Sequence, residues 1–132
     1  MSAEARTWLQ YAEENRRIAA YCLSQGLYNP ALQNSQQCVE KALKAAFVLQ
    51  GLAIKKTHSI QTLIDELRLV GIGPILSDDE CALLDAMYLP SKYPLGSVIP
   101  DYDPNESVTL QCVAMAEKTI REVNEMLARA EG

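Results

Sequence analysis

Apolar residues recur at three- and four-residue intervals along five segments of the chain, and no segment shows sustained apolar/polar alternation. That is a helical pattern throughout. The first segment runs from about Ala5 to Gln25. Trp8, Tyr11, Ala12, Ala19, Cys22 and Leu23 fall on one stripe, with Glu13, Glu14, Arg16 and Arg17 mostly to its side, and Gly26 suits the left-handed position that ends a helix. The second opens on Asn29-Pro30, a capping residue followed by proline at the first helical position. It runs through Leu32, Val39, Leu43, Ala46 and Phe47 to a second glycine stop at Gly51.

After a loop carrying Lys55 and Lys56, Thr57 or Ser59 can cap a short helix from Ile60 to Val70 built on Ile60, Leu63, Ile64 and Leu67. Gly71-Ile72-Gly73-Pro74 then breaks the chain. Ser77-Asp78-Asp79-Glu80 has the form of a capping box, launching a fourth helix through Cys81, Leu84 and Met87 to about Tyr88. Pro90, Pro94, Gly96, Pro100 and Pro104 make the stretch from Leu89 to Asp103 a loop. At about fifteen residues it exceeds most connections in a compact domain, and loops of that length often carry function. Asp103-Pro104-Asn105-Glu106 repeats the start pattern, and Val108, Val113, Ala116, Ile120, Val123 and Leu127 stripe a last helix to about Arg129.

Three helices of roughly 20–25 residues and two shorter ones, joined by mostly short turns, predict an all-α, antiparallel up-and-down bundle of about five helices. Residues 1–132 read as a single domain, and a chain of this size buries roughly 68 % of its surface on folding, enough for a core without staples.

Charge narrows the partners. A formal net charge of −5 argues against a basic face that coats nucleic acid, so no DNA partner is expected, although a small basic pocket on an acidic shell stays open. No apolar run reaches the ~18 residues of a membrane span, and the first residues lack the charged-then-apolar order of a secretory leader. A soluble, cytoplasmic protein without a membrane partner is expected. Cys22, Cys38, Cys81 and Cys112 include no closely spaced pair, which argues against structural zinc and for small buried hydrophobes. No metal and no cofactor are implied. The single histidine, His58, rules out sites built on several imidazoles and leaves one per chain for acid–base work.

Some polar residues are not required by the binary pattern. Gln36, Gln37, Glu40, Lys41 and Lys44 follow one another at helical spacing, with Gln37, Lys41 and Lys44 near one face. Two readings fit: a solvated stripe with an ordinary Glu40–Lys44 pair, or a cationic site for a phosphate or an acidic partner. His58 lies between Lys56 and Ser59 at the entry to the third helix, where a free helix N-terminus favours anions; a packed or capping histidine is the plainer role. Tyr88-Leu89-Pro90-Ser91-Lys92-Tyr93-Pro94 sets two tyrosines around a lysine. Such a loop can stack a nucleobase and pair a phosphate, or pack on the bundle. Asp78, Asp79 and Glu80 are explained by capping and the helix dipole. There is no Gly-x-Ser-x-Gly elbow, no phosphate-cradling Gly-x-x-x-x-Gly-Lys-Ser/Thr loop and no Gly-x-Gly-x-x-Gly.

These residues, in order, resemble the HEPN family (higher eukaryotes and prokaryotes nucleotide-binding domain). The resemblance rests on Trp8 and Ala12, Gly26-Leu27-Tyr28-Asn29-Pro30-Ala31, the run Ser35-Gln36-Gln37-Cys38-Val39-Glu40-Lys41-Ala42-Leu43-Lys44-Ala45, Gly51, Lys56-Thr57-His58-Ser59-Ile60 with Leu63, the Tyr88-to-Pro94 segment, and Ala116-Glu117. It implies a five-helix bundle, commonly a homodimer. Many members are encoded beside a small nucleotidyltransferase as toxin–antitoxin-like pairs, and others are linked to nucleotide binding. The catalytically active branch is RNase-like and carries an Arg-x(4–6)-His motif near the fourth helix. This chain departs from that motif: no arginine precedes His58 at that spacing, and Lys92-Tyr93-Pro94 stands where relatives of this branch often read Arg-Tyr-Pro. The charge is kept there and the bidentate fork is not.

Three readings follow. In the first, a homodimer binds a nucleotide or phosphate through Lys41, Lys44, Lys56, His58, Lys92 and Tyr93 and acts with a nucleotidyltransferase partner. In the second, it is a metal-independent ribonuclease toxin with His58 as acid/base and Lys92 on the phosphate. In the third, it is a non-catalytic dimerising adaptor whose Gln36, Gln37, Lys41 and Lys44 are solvated or line the interface.

Overall fold

Two glycine turns set the first half of the architecture. In the computed structural model, which describes residues 2–94 and 102–132, α1 (Ser2–Ser24) ends at Gly26 and α2 (Tyr28–Leu49) ends at Gly51. Both glycines take positive φ, 72° and 70°, where a Cβ would be penalised. Each closes a Schellman motif: the Leu27 amide donates to the Cys22 carbonyl, and the Leu52 amide to the Phe47 carbonyl, both at 2.9 Å. Three further helices follow, α3 (Ile60–Leu69), α4 (Asp78–Lys92) and α5 (Glu106–Glu131), with no strand among the described residues. The all-α bundle expected from the periodicity is the fold observed.

Helix α2 is the axis of the bundle and packs against each of the other four. Its buried positions lie on every side: Ala31, Leu32, Cys38, Val39, Ala42, Leu43 and the run Ala45 to Val48. A helix that is apolar all round belongs in the middle. Around it the core gathers Leu9 and Ala12 of α1, Leu63, Ile64 and Leu67 of α3, Cys81 and Leu84 of α4, and Cys112, Ala116 and Val123 of α5. All four cysteines are free and buried. Burial pushes the thiols of Cys38 and Cys112 up to about 12 and that of Cys81 to about 11, so they behave as the small hydrophobes the spacing suggested.

Helix starts match expectation in three cases of four. Ser59, rather than Thr57, caps α3 by accepting from the Thr62 amide. The Ser77–Glu80 box closes both ways: the Ser77 amide donates to Glu80 Oε1 at 2.9 Å and the Glu80 amide to Ser77 Oγ at 3.1 Å. Asn105 Oδ1 accepts from the Val108 amide at 2.9 Å to start α5. Asn29 does not cap α2. That helix begins two residues earlier, after Leu27 and without a side-chain cap, and Asn29 Oδ1 instead accepts from the Tyr102 hydroxyl at 2.5 Å. Pro30 falls in the first turn, where its missing N–H has no partner to lose.

The larger correction concerns α4. The proline rule ended it at Tyr88, but it runs through Pro90 to Lys92. Pro90 lies in the last turn, so it deletes a single backbone bond there. The turn is held around the gap: the Tyr93 amide donates to the Leu89 carbonyl at 2.9 Å and Ser91 Oγ to the Tyr88 carbonyl at 2.8 Å, while Tyr88, Pro90 and Ser91 are buried. The loop expected over 89–103 therefore starts at Tyr93, and its stretch 95–101, with Gly96 and Pro100, lies outside the described residues. Among the described residues no helix is long and apolar enough to cross a membrane.

Candidate functional site

The central position of α2 decides the fate of its polar residues. Gln36, Glu40 and Lys44 are four apart and so form one line along the helix. All three are buried, which corrects the reading of a solvated stripe for this line, while Gln37 and Lys41 beside it stay partly exposed. Glu40 is the hub. One carboxylate oxygen accepts from Lys44 Nζ at 2.9 Å and the other faces His58 Nδ1 at 2.8 Å, with the Glu40 and Lys44 side chains only 6 % and 10 % exposed. The Lys44 ammonium also lies 5.7 Å from the centroid of the Trp8 ring, a cation–π contact that covers it from α1.

His58 is held twice. Gln36 Nε2 donates to the His58 carbonyl at 2.7 Å, and Gln37 Nε2 donates to Gln36 Oε1 at 2.9 Å. The backbone is thereby pinned by Gln36 and the ring by Glu40. The imidazole stacks on Tyr88 with centroids 5.3 Å apart and planes at 29°, yet its side chain is 65 % exposed. With Nδ1 engaged inward, the exposed part of the ring carries Nε2.

Tyr88 is a platform shared with a cation. Because α4 continues past Pro90, Lys92 sits one turn beyond Tyr88 on the same face. Its Nζ lies 5.5 Å from the Tyr88 ring centroid, 3.4 Å from the Tyr88 hydroxyl and 5.7 Å from the Tyr93 ring centroid. The hydrogen bond to that hydroxyl raises the Lys92 pKa above the ordinary lysine value, so the exposed ammonium stays charged. Since Glu40 and Lys44 offset one another, the charge offered outward here is that of Lys92, joined by His58 whenever the imidazole is protonated.

The N-terminus of α3 is not available to an external anion. Asp85 of α4 already occupies it: Oδ1 accepts from the Ile60 amide at 2.8 Å, and Oδ2 accepts from the Gln61 amide at 3.1 Å and from Ser59 Oγ at 3.4 Å. A carboxylate of the protein's own satisfies the orphan donors and the positive helix end. The anion site expected there is thus closed.

Of the six residues singled out from the sequence, His58, Lys92 and Tyr93 meet around Tyr88, and Lys44 stands behind them through Glu40. Lys41 is elsewhere. Its Nζ donates to Asn15 Oδ1 at 2.8 Å and lies 5.8 Å from the Tyr11 ring centroid, while Asn15 Nδ2 donates to Asn34 Oδ1 at 2.8 Å. That chain of bonds ties α1 to α2. Lys56 is exposed before α3, and its neighbour Lys55 pairs with Glu66 at 3.3 Å. Gln36 and Glu40, singled out from the sequence but given no place among the six, hold His58, and Asp85, which the sequence did not single out, closes the α3 N-terminus. A carboxylate-held imidazole whose Nε2 has no hydrogen-bond partner among the described residues, with an ammonium and an aromatic face, can accept a hydrogen bond or a proton, neutralise an anionic oxygen and support a flat group.

The chain belongs to the HEPN domain family, whose model matches residues 5–129. It is similar to three solved structures. ST0689, described as an archaeal HEPN homologue, is 30 % identical with a TM-score of 0.72, the match covering 94 % of this chain and 98 % of that one. TT1696 from Thermus thermophilus is 27 % identical with a TM-score of 0.73, covering 93 % and 98 %. A HEPN domain protein of Thermotoga maritima is 26 % identical with a TM-score of 0.70, again covering 93 % and 98 %. A protein of Methanocaldococcus jannaschii named "Putative toxin MJ1304" is 36 % identical over 52 residues, which are 39 % of this chain and 34 % of that protein. The match therefore spans about a third of that relative's length.

Proposed function

We propose that this protein is a HEPN toxin-like module that binds a nucleotide through its phosphate at the face formed by His58, Lys92 and the rings of Tyr88 and Tyr93. The observation that carries this reading is an oriented imidazole stacked on the Tyr88 ring with an exposed ammonium beside the hydroxyl of the same tyrosine. Isothermal titration with AMP, ATP and GTP tests it. Lys92→Ala removes a charge-assisted contact and His58→Ala a hydrogen-bonding and stacking contact, and each should weaken binding by about tenfold or more, whereas Lys41→Ala should not. No heat with any of the three nucleotides would overturn the reading.

In this reading the module is a cytoplasmic homodimer that works with a nucleotidyltransferase partner in a toxin–antitoxin-like pair. Support for the dimer comes from α1, where Tyr11, Ile18 and Tyr21 are exposed and Ile18 and Tyr21 share a groove with Glu14 and Arg17. Such a face is self-complementary about a two-fold axis, apolar against apolar and acid against base. Light scattering should give a dimer that Ile18→Glu converts to a monomer. Co-purification with the partner's product tests the pair.

The Glu40–His58 bond favours a second reading, metal-independent RNA cleavage with His58 as acid/base and Lys92 on the phosphate, because a carboxylate-held histidine is the usual arrangement for proton transfer. Purified protein would then cut RNA in the presence of a chelator, and His58→Ala would abolish the cutting. Intact RNA after prolonged incubation rules it out.

A further inference from the structure

Gln36, Glu40 and Lys44 form a buried polar line whose one exposed product is His58. We infer that this line fixes the neutral His58 ring in its Nδ1–H tautomer, so that Nε2 is presented outward as an obligate hydrogen-bond acceptor. The inference deepens the reading of this face as a binding site and concerns how the site chooses the polarity of what it meets.

An ionised carboxylate offers acceptors only. Glu40 is paired with the Lys44 ammonium 2.9 Å away, in a setting where either charge alone would be stranded. The atom facing its other oxygen at 2.8 Å, His58 Nδ1, must therefore carry the hydrogen. Gln36 removes the remaining freedom by bonding the His58 carbonyl at 2.7 Å, and Tyr88 fixes the ring plane from the other side. A histidine side chain free in water prefers the opposite tautomer, with hydrogen on Nε2, so the protein imposes this one. The neutral site consequently takes a hydroxyl or N–H donor at Nε2 and an anionic oxygen at Lys92, and a ligand that carries both fits better than a bare anion.

Lys44 also predicts what Glu40→Gln does. The ammonium claims the carboxamide oxygen, which turns the amide NH2 toward His58 Nδ1. That nitrogen must then accept, and the hydrogen moves to Nε2. The near-isosteric change inverts the polarity of the exposed nitrogen while the ring stays in place.

A single histidine makes the test direct. With imidazole-15N label and no ligand, long-range 1H–15N correlation at alkaline pH reads which nitrogen is of the pyridine type. In the wild type it should be Nε2; in Glu40→Gln it should shift to Nδ1, with circular dichroism reporting that the helices are retained. A wild-type spectrum with the pyridine-type nitrogen at Nδ1 overturns the inference, and so does a folded Glu40→Gln that keeps the wild-type pattern. If Glu40→Gln does not fold, the wild-type spectrum alone decides. Because no ligand is present, failed nucleotide binding would remove the proposed function and leave this result standing.

Discussion

Lys44→Met tests whether the Glu40–Lys44 pair is a buried ion pair in the energetic sense. The methionine keeps the length and apolar stem of the lysine and removes only the ammonium, leaving the Glu40 carboxylate, 6 % exposed, with His58 as its remaining strong partner. Breaking a buried pair by removing one member costs ~3–5 kcal/mol because a charge is left without compensation. With the imidazole still bonded to the carboxylate, the expected loss is about 2–4 kcal/mol. For 132 residues, an unfolding entropy of ~2.1 cal/mol/K per residue makes 1 kcal/mol worth roughly 3–4 °C, so the midpoint should fall by ~7–14 °C. Thermal and urea unfolding at neutral pH measure this. Moderate salt should leave the loss in place, since a buried pair is screened far less than exposed ones such as Arg68–Asp78. Glu40→Leu combined with Lys44→Met should regain most of the stability, because replacing both charges with apolar groups strands neither. A single variant within ~0.5 kcal/mol of wild type, or a double variant no better than the single, would show that the pair is effectively solvated and that the reasoning about α2 is wrong.

Three further outcomes follow from the same geometry. Asp85→Ala opens the α3 N-terminus and should cost about 1–2 kcal/mol, with faster hydrogen exchange at the Ile60 and Gln61 amides; unchanged exchange would show that Asp85 is not the cap. Burial alone would raise the Glu80 carboxyl, but the Ser77 amide and the Lys118 ammonium together hold it below the usual value. A depressed folded-state pKa gives stability that is present above the unfolded value of 4.5 and lost as pH falls through the folded one. Glu80→Gln should therefore be less stable than wild type at neutral pH by about 0.5–1 kcal/mol, and the gap should close in acid; a gap constant with pH refutes the assignment. The Cys38, Cys81 and Cys112 thiols, raised by burial, should be silent to a thiol reagent in the native protein at pH 8 and react fully in guanidinium; rapid native labelling of any of them would place it at the surface.

The fold was almost wholly legible because its signals are local. The glycine stops at Gly26 and Gly51, the Ser77–Glu80 box and the Asn105 cap each act through hydrogen bonds within a turn, and sequence spacing reports such bonds directly. The misjudged element is equally instructive. A proline ends a helix when several turns must continue beyond it, but in the last turn it deletes one bond that Ser91 and Tyr93 bridge. That difference of four residues moved Lys92 from a loop onto the face of Tyr88, and with it half of the candidate site. The same limit hid Asp85, whose bonds run from one helix to the start of another and leave no trace in spacing.

The buried line on α2 was hidden for a different reason. Glu40 and Lys44 at a four-residue interval look the same whether the helix is at the surface or in the middle, and the surface case is the commoner. The distinguishing signal lies in the apolar residues instead. Ala42, Leu43, Ala45, Ala46, Phe47 and Val48 leave no continuous polar arc in that part of the helix, and a helix apolar on all sides is an interior helix. Once α2 is placed inside, Gln36, Glu40 and Lys44 cannot reach bulk water, and buried polar groups must find partners within the protein. The second carboxylate oxygen then asks for a donor and the glutamine amide for an acceptor, and residue 58 supplies both, the ring to Glu40 and the carbonyl to Gln36. Elsewhere in the core these helices are held by apolar contact; this line holds one exposed imidazole in one orientation, an arrangement that packing alone would not require.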